Sequence, residues 1–268
     1  MAELPRLRRT APHVERRIHH ALEQSREAIR RSKSDRLALS RAGDCVRNLW
    51  ASVHEVPEDK EIDPRMLVLF EHGNASESHL TALLRRAGFE VLDRDPKTGE
   101  QFRVVDCDER ASGRLDGLIR DATKSIPETW RLLEIKSANE RQFEVLLESG
   151  FEAWNPVYVA QVQVYMGLAS RQLDYGPITD SLCVVECKND SRIYTEKIRF
   201  DPEEFERLRA QVRLAVDGEV PPARPAAASS QYCGFCKWCV RNEWCWGPTA
   251  DVKFAGAFDT ALPTGDAA

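Results

Sequence analysis

Apolar and polar positions repeat along this chain with two periods, and the points where the period changes mark the predicted elements. From Pro12 to Lys33, Val14, Ile18, Leu22 and Ile29 share one helical face, with arginines and histidines on the rest. A short helix is expected around Cys45, Leu49 and Trp50, capped by Ser40 or Asp44. Helical spacing returns from Arg65 to Ala87, through Phe70, Leu80, Leu83 and Leu84, and Gly88 stops it. Period two then takes over: Phe89 to Leu92, Gln101 to Cys107, Arg114 to Ile119 and Trp130 to Lys136 read as strands. A helix begins at Arg141 and breaks at Ser149-Gly150; Pro156 opens a stronger one over Val157 to Leu168. Ser181 to Glu186 and Arg192 to Phe200 are strands joined by Lys188-Asn189-Asp190, and Asp201 caps a helix from Pro202 to Val216.

This order predicts an α/β fold, a mixed central β-sheet flanked by helices. Residues 1–64 form a basic helical N-terminal cap, 65–216 the core, 217–230 a proline- and alanine-rich linker and 231–248 a cysteine segment. Residues 249–268 have no periodicity and are expected to be a disordered tail.

Composition narrows the setting. No apolar run approaches the ~20 residues that span a bilayer, and the first residues lack a signal peptide's apolar core. A cytoplasmic protein with no membrane partner is expected, in which the eight cysteines serve as metal or cluster ligands more than as disulfides. The net charge of -5 conceals an asymmetry, because residues 1–50 hold 12 Lys/Arg against 6 Asp/Glu. A basic end on an acidic body suits a phosphate-tracking surface beside a metal centre.

The candidate chemistry clusters at the middle strands. Glu134 and Lys136 alternate to one face of their strand while Ile135 points to the other, and Asp116 sits in the strand before. Two acids and a lysine at one end of a sheet suit Mg²⁺ or Mn²⁺ and a hydrolytic water. Glu77 falls in helical phase with Leu80 and Leu84, so it faces inward and needs a partner or a metal; His79 lies to one side as a less certain candidate. Gln161 and Tyr165, four apart, stack on one helical face. Asp106, Asp108 and Glu109 read as a solvated turn, and Cys107, Cys183 and Cys187 as apolar strand residues.

Asp116 with Glu134-Ile135-Lys136 resembles the PD-(D/E)XK nuclease superfamily. The Gln161-x3-Tyr165 pair behind it, and Glu77 four residues after Gly73, resemble its RecB-type branch. The resemblance runs roughly over residues 73–165. It implies a restriction-endonuclease-like core and a metal-dependent nuclease, an exonuclease on single-stranded DNA or free ends. It also implies Glu77, Asp116, Glu134 and the Ile135 carbonyl around Mg²⁺ or Mn²⁺, Lys136 on the attacking water, and Gln161 and Tyr165 positioning the substrate or ordering the site. Partner systems of such domains include recombination, CRISPR adaptation and phage DNA processing.

Cys233, Cys236, Cys239 and Cys245 fall within 13 residues, a ligand density with two readings. All four could hold one Zn²⁺, which goes with an alternative function: a non-catalytic DNA-binding or scaffold protein on a nuclease-like fold. Alternatively, Cys236-x2-Cys239-x5-Cys245 resembles the C-terminal triplet of iron–sulfur nucleases of the CRISPR-adaptation and AddB-like kind. Those take a further ligand from upstream, and Cys45-Val-Arg47-Asn-Leu49-Trp50 matches that segment. The resemblance implies a 4Fe–4S cluster on Cys45, Cys236, Cys239 and Cys245, clamping a cap from both termini, with Cys233 as the departure. Phe235, Trp238 and Trp244 are candidates either to stack bases or to pack around the metal.

Overall fold

The computed structural model describes residues 12–31, 36–59, 64–123 and 129–248. The expected tail over 249–268 lies outside them, as does part of the loop after residue 123. Helix α1 (Pro12–Arg31) is followed by strand β1 (Leu37–Ala38), a 3₁₀ turn, α2 (Val46–Val53) and α3 (Pro64–Arg86). Four short strands come next, β2 (Phe89–Leu92), β3 (Arg103–Asp106), β4 (Ala111–Arg114) and β5 (Gly117–Asp121), and then the long β6 (Arg131–Ala138). The chain continues through α4 (Glu140–Trp154), α5 (Pro156–Gln172), β7 (Asp180–Cys187), β8 (Ile193–Arg199), α6 (Pro202–Asp217) and α7 (Asn242–Trp246). No helix among these residues is long and apolar enough to cross a membrane.

The architecture is mixed α/β, as its period changes predict, with two sheets in place of one. Five strands run in the order β2-β5-β6-β7-β8 and three in the order β1-β4-β3. The β6–β7 pair is parallel, reached through α4 and α5, and its neighbours are antiparallel. The continuous strand expected over Arg114 to Ile119 is divided: β4 belongs to the small sheet, β5 to the large one, and Leu115–Asp116 is the step between. Alternation of side chains persists through the step, so periodicity alone does not reveal it.

The core lies in two layers. The larger one holds Leu132 and Ala138 of β6, Cys183, Val185 and Cys187 of β7 and the buried length of α5, with Phe205 and Leu208 of α6. The smaller one packs Leu133 and Ile135 of β6 against Leu80, Leu83 and Leu84 of α3. Alternate β6 residues therefore face opposite layers. Helix α5 is buried continuously from Ala160 to Ala169, the mark of a core helix. Its polar residues find partners: Gln163 donates to the Arg199 carbonyl (2.8 Å) and accepts from the Asp201 N–H (2.9 Å). Asn155 caps α5 and Asp201 caps α6. The break expected at Ser149-Gly150 is a kink, with Gly150 at φ 77° inside α4.

The termini are woven into this core. Leu37, Leu39, Leu49, Trp50 and Val56 belong to the large layer, and the Trp50 indole donates to the Gly218 carbonyl (2.7 Å). Buried Arg47 donates to the Pro222 carbonyl (2.6 Å), so the proline-rich stretch is tied down at that point.

Asp106 corrects the expectation of a solvated acidic turn. Its side chain is 8% exposed, and Arg209 of α6 meets it with two donors, at 2.7 and 3.0 Å. The turn itself follows, with Cys107, Asp108 and Glu109 all at positive φ. Cys107 leaves the strand and is only half-buried, whereas Cys183 and Cys187 are core residues. Asp106→Ala should leave Arg209, itself 13% exposed, with only its 3.4 Å contact to Glu206, and cost roughly 1–3 kcal/mol. Asp93→Ala, which breaks the open Arg85–Asp93 pair and leaves Arg85 its bonds to the Val91 carbonyl, should cost less than about 1 kcal/mol. Urea midpoints on both variants check the contrast.

Candidate active site

The site is built where β6 outruns its neighbour. Strand β5 pairs with β6 only from Gly117↔Leu133 to Ile119↔Arg131, while β6 continues along β7 to Ala138. The next free backbone donor on that edge is the Ile135 N–H, and Asp116 takes it with Oδ2 at 2.7 Å. A carboxylate thus stands where a strand would otherwise pair, which explains why Asp116 sits in the step between the sheets.

Glu134 is fully buried and faces α5. Its Oε1 accepts from Gln161 Nε2 at 2.6 Å and from the Lys136 ammonium. Its Oε2 is buried and has no hydrogen-bond partner. A carboxylate oxygen left bare in the interior is costly unless something cationic meets it. Lys136 shares the face of Glu134, and its Nζ lies 4.8 Å from the centre of the Tyr158 ring, within cation–π range. Tyr165, one turn beyond Gln161, is buried and hydrogen-bonds Ser40. Its ring occupies the space a Cβ would need at Gly113, which only glycine leaves open.

Glu77 reaches the cluster from α3. It is half-buried and interacts electrostatically with Asp116, Lys136 and Glu134. His79 is exposed and stands apart, in keeping with its helical phase. The structure therefore brings together Glu77, Asp116, Glu134, Lys136, Gln161 and Tyr165. Sequence reasoning missed Ser40, Gly113 and Tyr158. Of these only Tyr158 carried a local signal, since it lies one turn before Gln161 on the same face.

Burial raises all three acids. Glu134 is pushed up to about 8, with Asp116 and Glu77 adding to burial and Lys136 opposing it. Glu77 is pushed up to about 7 by burial and then by Asp116. Asp116 is raised by burial against the pull of Lys136 and the Ile135 N–H. Burial would lower Lys136, but Glu134 and Asp116 outweigh it and raise the ammonium's pKa. One lysine does not neutralise three acids. Acids that burial keeps protonated, a hard-oxygen donor set and the bare Glu134 oxygen fit a divalent cation such as Mg²⁺ or Mn²⁺, which would displace those protons. Among the described residues, no three His, Cys, Asp or Glu side chains are already gathered in metal-binding geometry.

The cysteines form a second locus. Cys45, Cys236, Cys239 and Cys245 line one cavity of about 640 Å³, and Cys233 is absent from its wall. The Cys233 thiol lies 3.6 Å from the Ala227 carbonyl and also hydrogen-bonds the Cys236 side chain; against burial, backbone N–H groups and Cys236 lower it to about 7. Burial raises the Cys45 and Cys239 thiols, each further raised by cysteines across the cavity. Trp244, also in the wall, stacks on Trp50 at 6.2 Å and lies under Arg47. Its buried indole N–H has no acceptor. Soft thiol donors around one space, with an unused N–H donor in the wall, fit a thiolate-held group.

The raised acids set a direction for stability against pH. Because Glu134 and Glu77 hold protons more tightly folded than unfolded, their contribution falls as pH rises from about 4.5 to about 8. Metal-free protein should lose thermal stability across that window, and Glu134→Gln should flatten the loss. Mn²⁺ should raise Tm more at pH 8 than at pH 5. Melting curves with and without Mn²⁺ test this, and parallel pH slopes for the two proteins would refute it.

No protein-family model matches the chain, and no curated protein matches it in sequence. Among solved structures it is similar to LHK-Exo in complex with dAMP, at 16% identity and a TM-score of 0.48, over 69% of this chain and 88% of that one. It is also similar to an alkaline exonuclease (LHK-Exo) from Laribacter hongkongensis, at 14% identity and a TM-score of 0.45, over 71% and 91%. A third is SSO0001, at 13% identity and a TM-score of 0.45, over 77% and 84%. The likenesses are distant, and the chemistry of the site rests on its own residues.

Proposed function

We propose that this chain is a metal-dependent deoxyribonuclease, an exonuclease working on single-stranded DNA or free ends. The observation that carries the proposal is Glu134: a carboxylate wholly inside the protein, one oxygen held and the other bare, beside two more acids and a lysine. Glu77, Asp116 and Glu134, with the Ile135 carbonyl, would hold Mg²⁺ or Mn²⁺. When bound, the ion supplies Lewis-acid charge at the scissile phosphodiester.

The chain's own residues do the rest. Gln161 fixes Glu134 through Oε1 and so leaves Oε2 available. Lys136, kept protonated by Glu134 and Asp116, orients the attacking water and stabilises charge growing on the phosphate rather than taking the proton. Tyr165, wedged over Gly113 and tied to Ser40, orders the wall of the site from which Gln161 projects.

The cysteine cavity is proposed to hold a 4Fe–4S cluster on Cys45, Cys236, Cys239 and Cys245. The reading is supported by the shared wall of these four thiols, the absence of Cys233 from it, and the unused Trp244 N–H. Its role would be structural, joining α2 to the C-terminal segment. In the zinc alternative, the metal is held by the four C-terminal cysteines and Cys45 is dispensable.

Asp116→Ala, Glu134→Ala and Lys136→Ala should each lower cleavage of end-labelled single-stranded DNA by at least about a hundredfold. The two acid variants should also lose Mn²⁺ binding by calorimetry, whereas Lys136→Ala should keep it. Glu77→Gln should weaken activity strongly and His79→Gln only mildly. Near-normal turnover in either alanine acid variant ends the assignment.

The cluster has its own test. After anaerobic purification, Cys45→Ser should lose iron, sulfide and visible absorbance, and melt earlier, because ligation free energy is folding free energy. Cys233→Ser should retain all of them. Zinc in place of iron, with Cys233 essential, overturns the reading.

A further inference from the structure

The aromatic residues of the cysteine segment divide into two sets. Trp244 is packed inward on Trp50. Tyr232 and Trp238, in contrast, are 79% and 81% exposed, and Phe235 between them is 48% exposed. Burying such rings would ordinarily gain free energy, so their exposure needs a cause. The local backbone supplies the geometry. The Cys236 N–H donates to the Cys233 carbonyl and the Cys239 N–H to that of Cys236, a run of turns with period three. One set of positions, 233, 236 and 239, carries the thiols; the set just before it, 232, 235 and 238, carries the aromatic rings.

Phe235 and Trp238 also line the cysteine cavity, so these two rings stand at its mouth. Of the charged residues in that lining, Arg41 pairs with Asp44 and Arg241 with Glu58, which leaves the charge of Arg224, bonded to the Cys245 carbonyl, without an acid opposite it in the wall. Lys237 places its ammonium 5.3 Å from the Trp238 ring centre. The same lining includes Val157 of α5. One residue on, Tyr158 faces Lys136, and one turn on, Gln161 holds Glu134. Helix α5 therefore borders both the cavity and the candidate active site.

We infer that Tyr232, Phe235 and Trp238 form a stacking platform for bases of a single-stranded DNA end, with Lys237 at its phosphates. The inference rests on the nuclease reading for its substrate class and adds where the strand lies outside the site. Single rings separated by Cys, Gly and Lys suit successive bases, each with its own π-face. A protein partner would favour a continuous apolar patch.

The test is binding of a fluorescein-labelled dT15 oligonucleotide, read by anisotropy on the full chain carrying Glu134→Gln, which leaves the probe uncut. Adding Tyr232→Ala or Trp238→Ala should weaken affinity roughly 5- to 150-fold, and Trp238→Phe should restore most of it. Trp238→Ala should leave the salt dependence of binding unchanged. Lys237→Ala should shallow the slope of log K against log salt by about 0.7. Because the replaced rings are exposed, Tm should hold, and that is checked on each variant. Wild-type affinity in both aromatic variants overturns the platform, even if the unmodified chain cuts DNA. Ring-dependent binding by a chain that cuts nothing upholds the platform and removes the nuclease reading. A shift from dimer to monomer on sedimentation, with oligonucleotide affinity unchanged, would reassign the surface to self-association.

Discussion

The fold turns on the burial of one carboxylate. Glu134 lies in the central strand with no exposed surface, and an ion there costs several kcal/mol unless the surroundings answer it. Lys136 and Gln161 answer one oxygen only. Much of the neighbouring architecture follows from that arrangement. Helix α5 must run fully buried to bring Gln161 inward, so its other polar residues need partners of their own, which Gln163 finds at the β8–α6 junction. Strand β5 must stop short so that Asp116 can take the Ile135 N–H, and the chain then steps from one sheet to the other at that residue. An apolar side chain at position 134 would relieve these demands and leave no oxygen for a cation. The local frustration is an argument for chemistry at this point.

What the sequence disclosed depended on how far apart the interacting groups lie. Helix and strand periods located the elements to within a few residues because that information is local. Glu77 could be separated from His79 because helical phase relates each to Leu80 and Leu84 only a turn or two away. Asp116 could be chosen as a site residue, but not placed in the gap between two sheets, because alternation continues unbroken across Leu115. Asp106 looked solvated beside Asp108 and Glu109, since the arginine that buries it lies 103 positions later. The same limit hid Ser40 and Gly113, whose roles exist only once Tyr165 is set against them.

The cysteine segment shows both sides of that limit. Its spacing marks it as a candidate ligand set, and its rings as candidates for stacking or for packing. Spacing alone did not divide those roles. The turns put the thiols and the exposed rings on successive positions of a three-residue repeat, while Trp244 falls in the short α7 and packs against Trp50.

One short segment connects the two loci. Ser40 holds Tyr165, Arg41 bonds Asp44 at 2.8 Å, and Gly43 lies so close to Val157 and Ala160 that a Cβ would fall 2.7 Å from the Ala160 methyl. Cys45 then faces the cavity. Six residues thus pass from the wall of the acidic site to the thiol locus, pressed against α5 with no room for a side chain at Gly43. The segment thus joins the thiol locus to Tyr165 through Ser40, along the surface of α5. Helix α5 is the shared support: Val157 and Ala160 seat this segment, while Gln161 and Tyr165 face the acidic site.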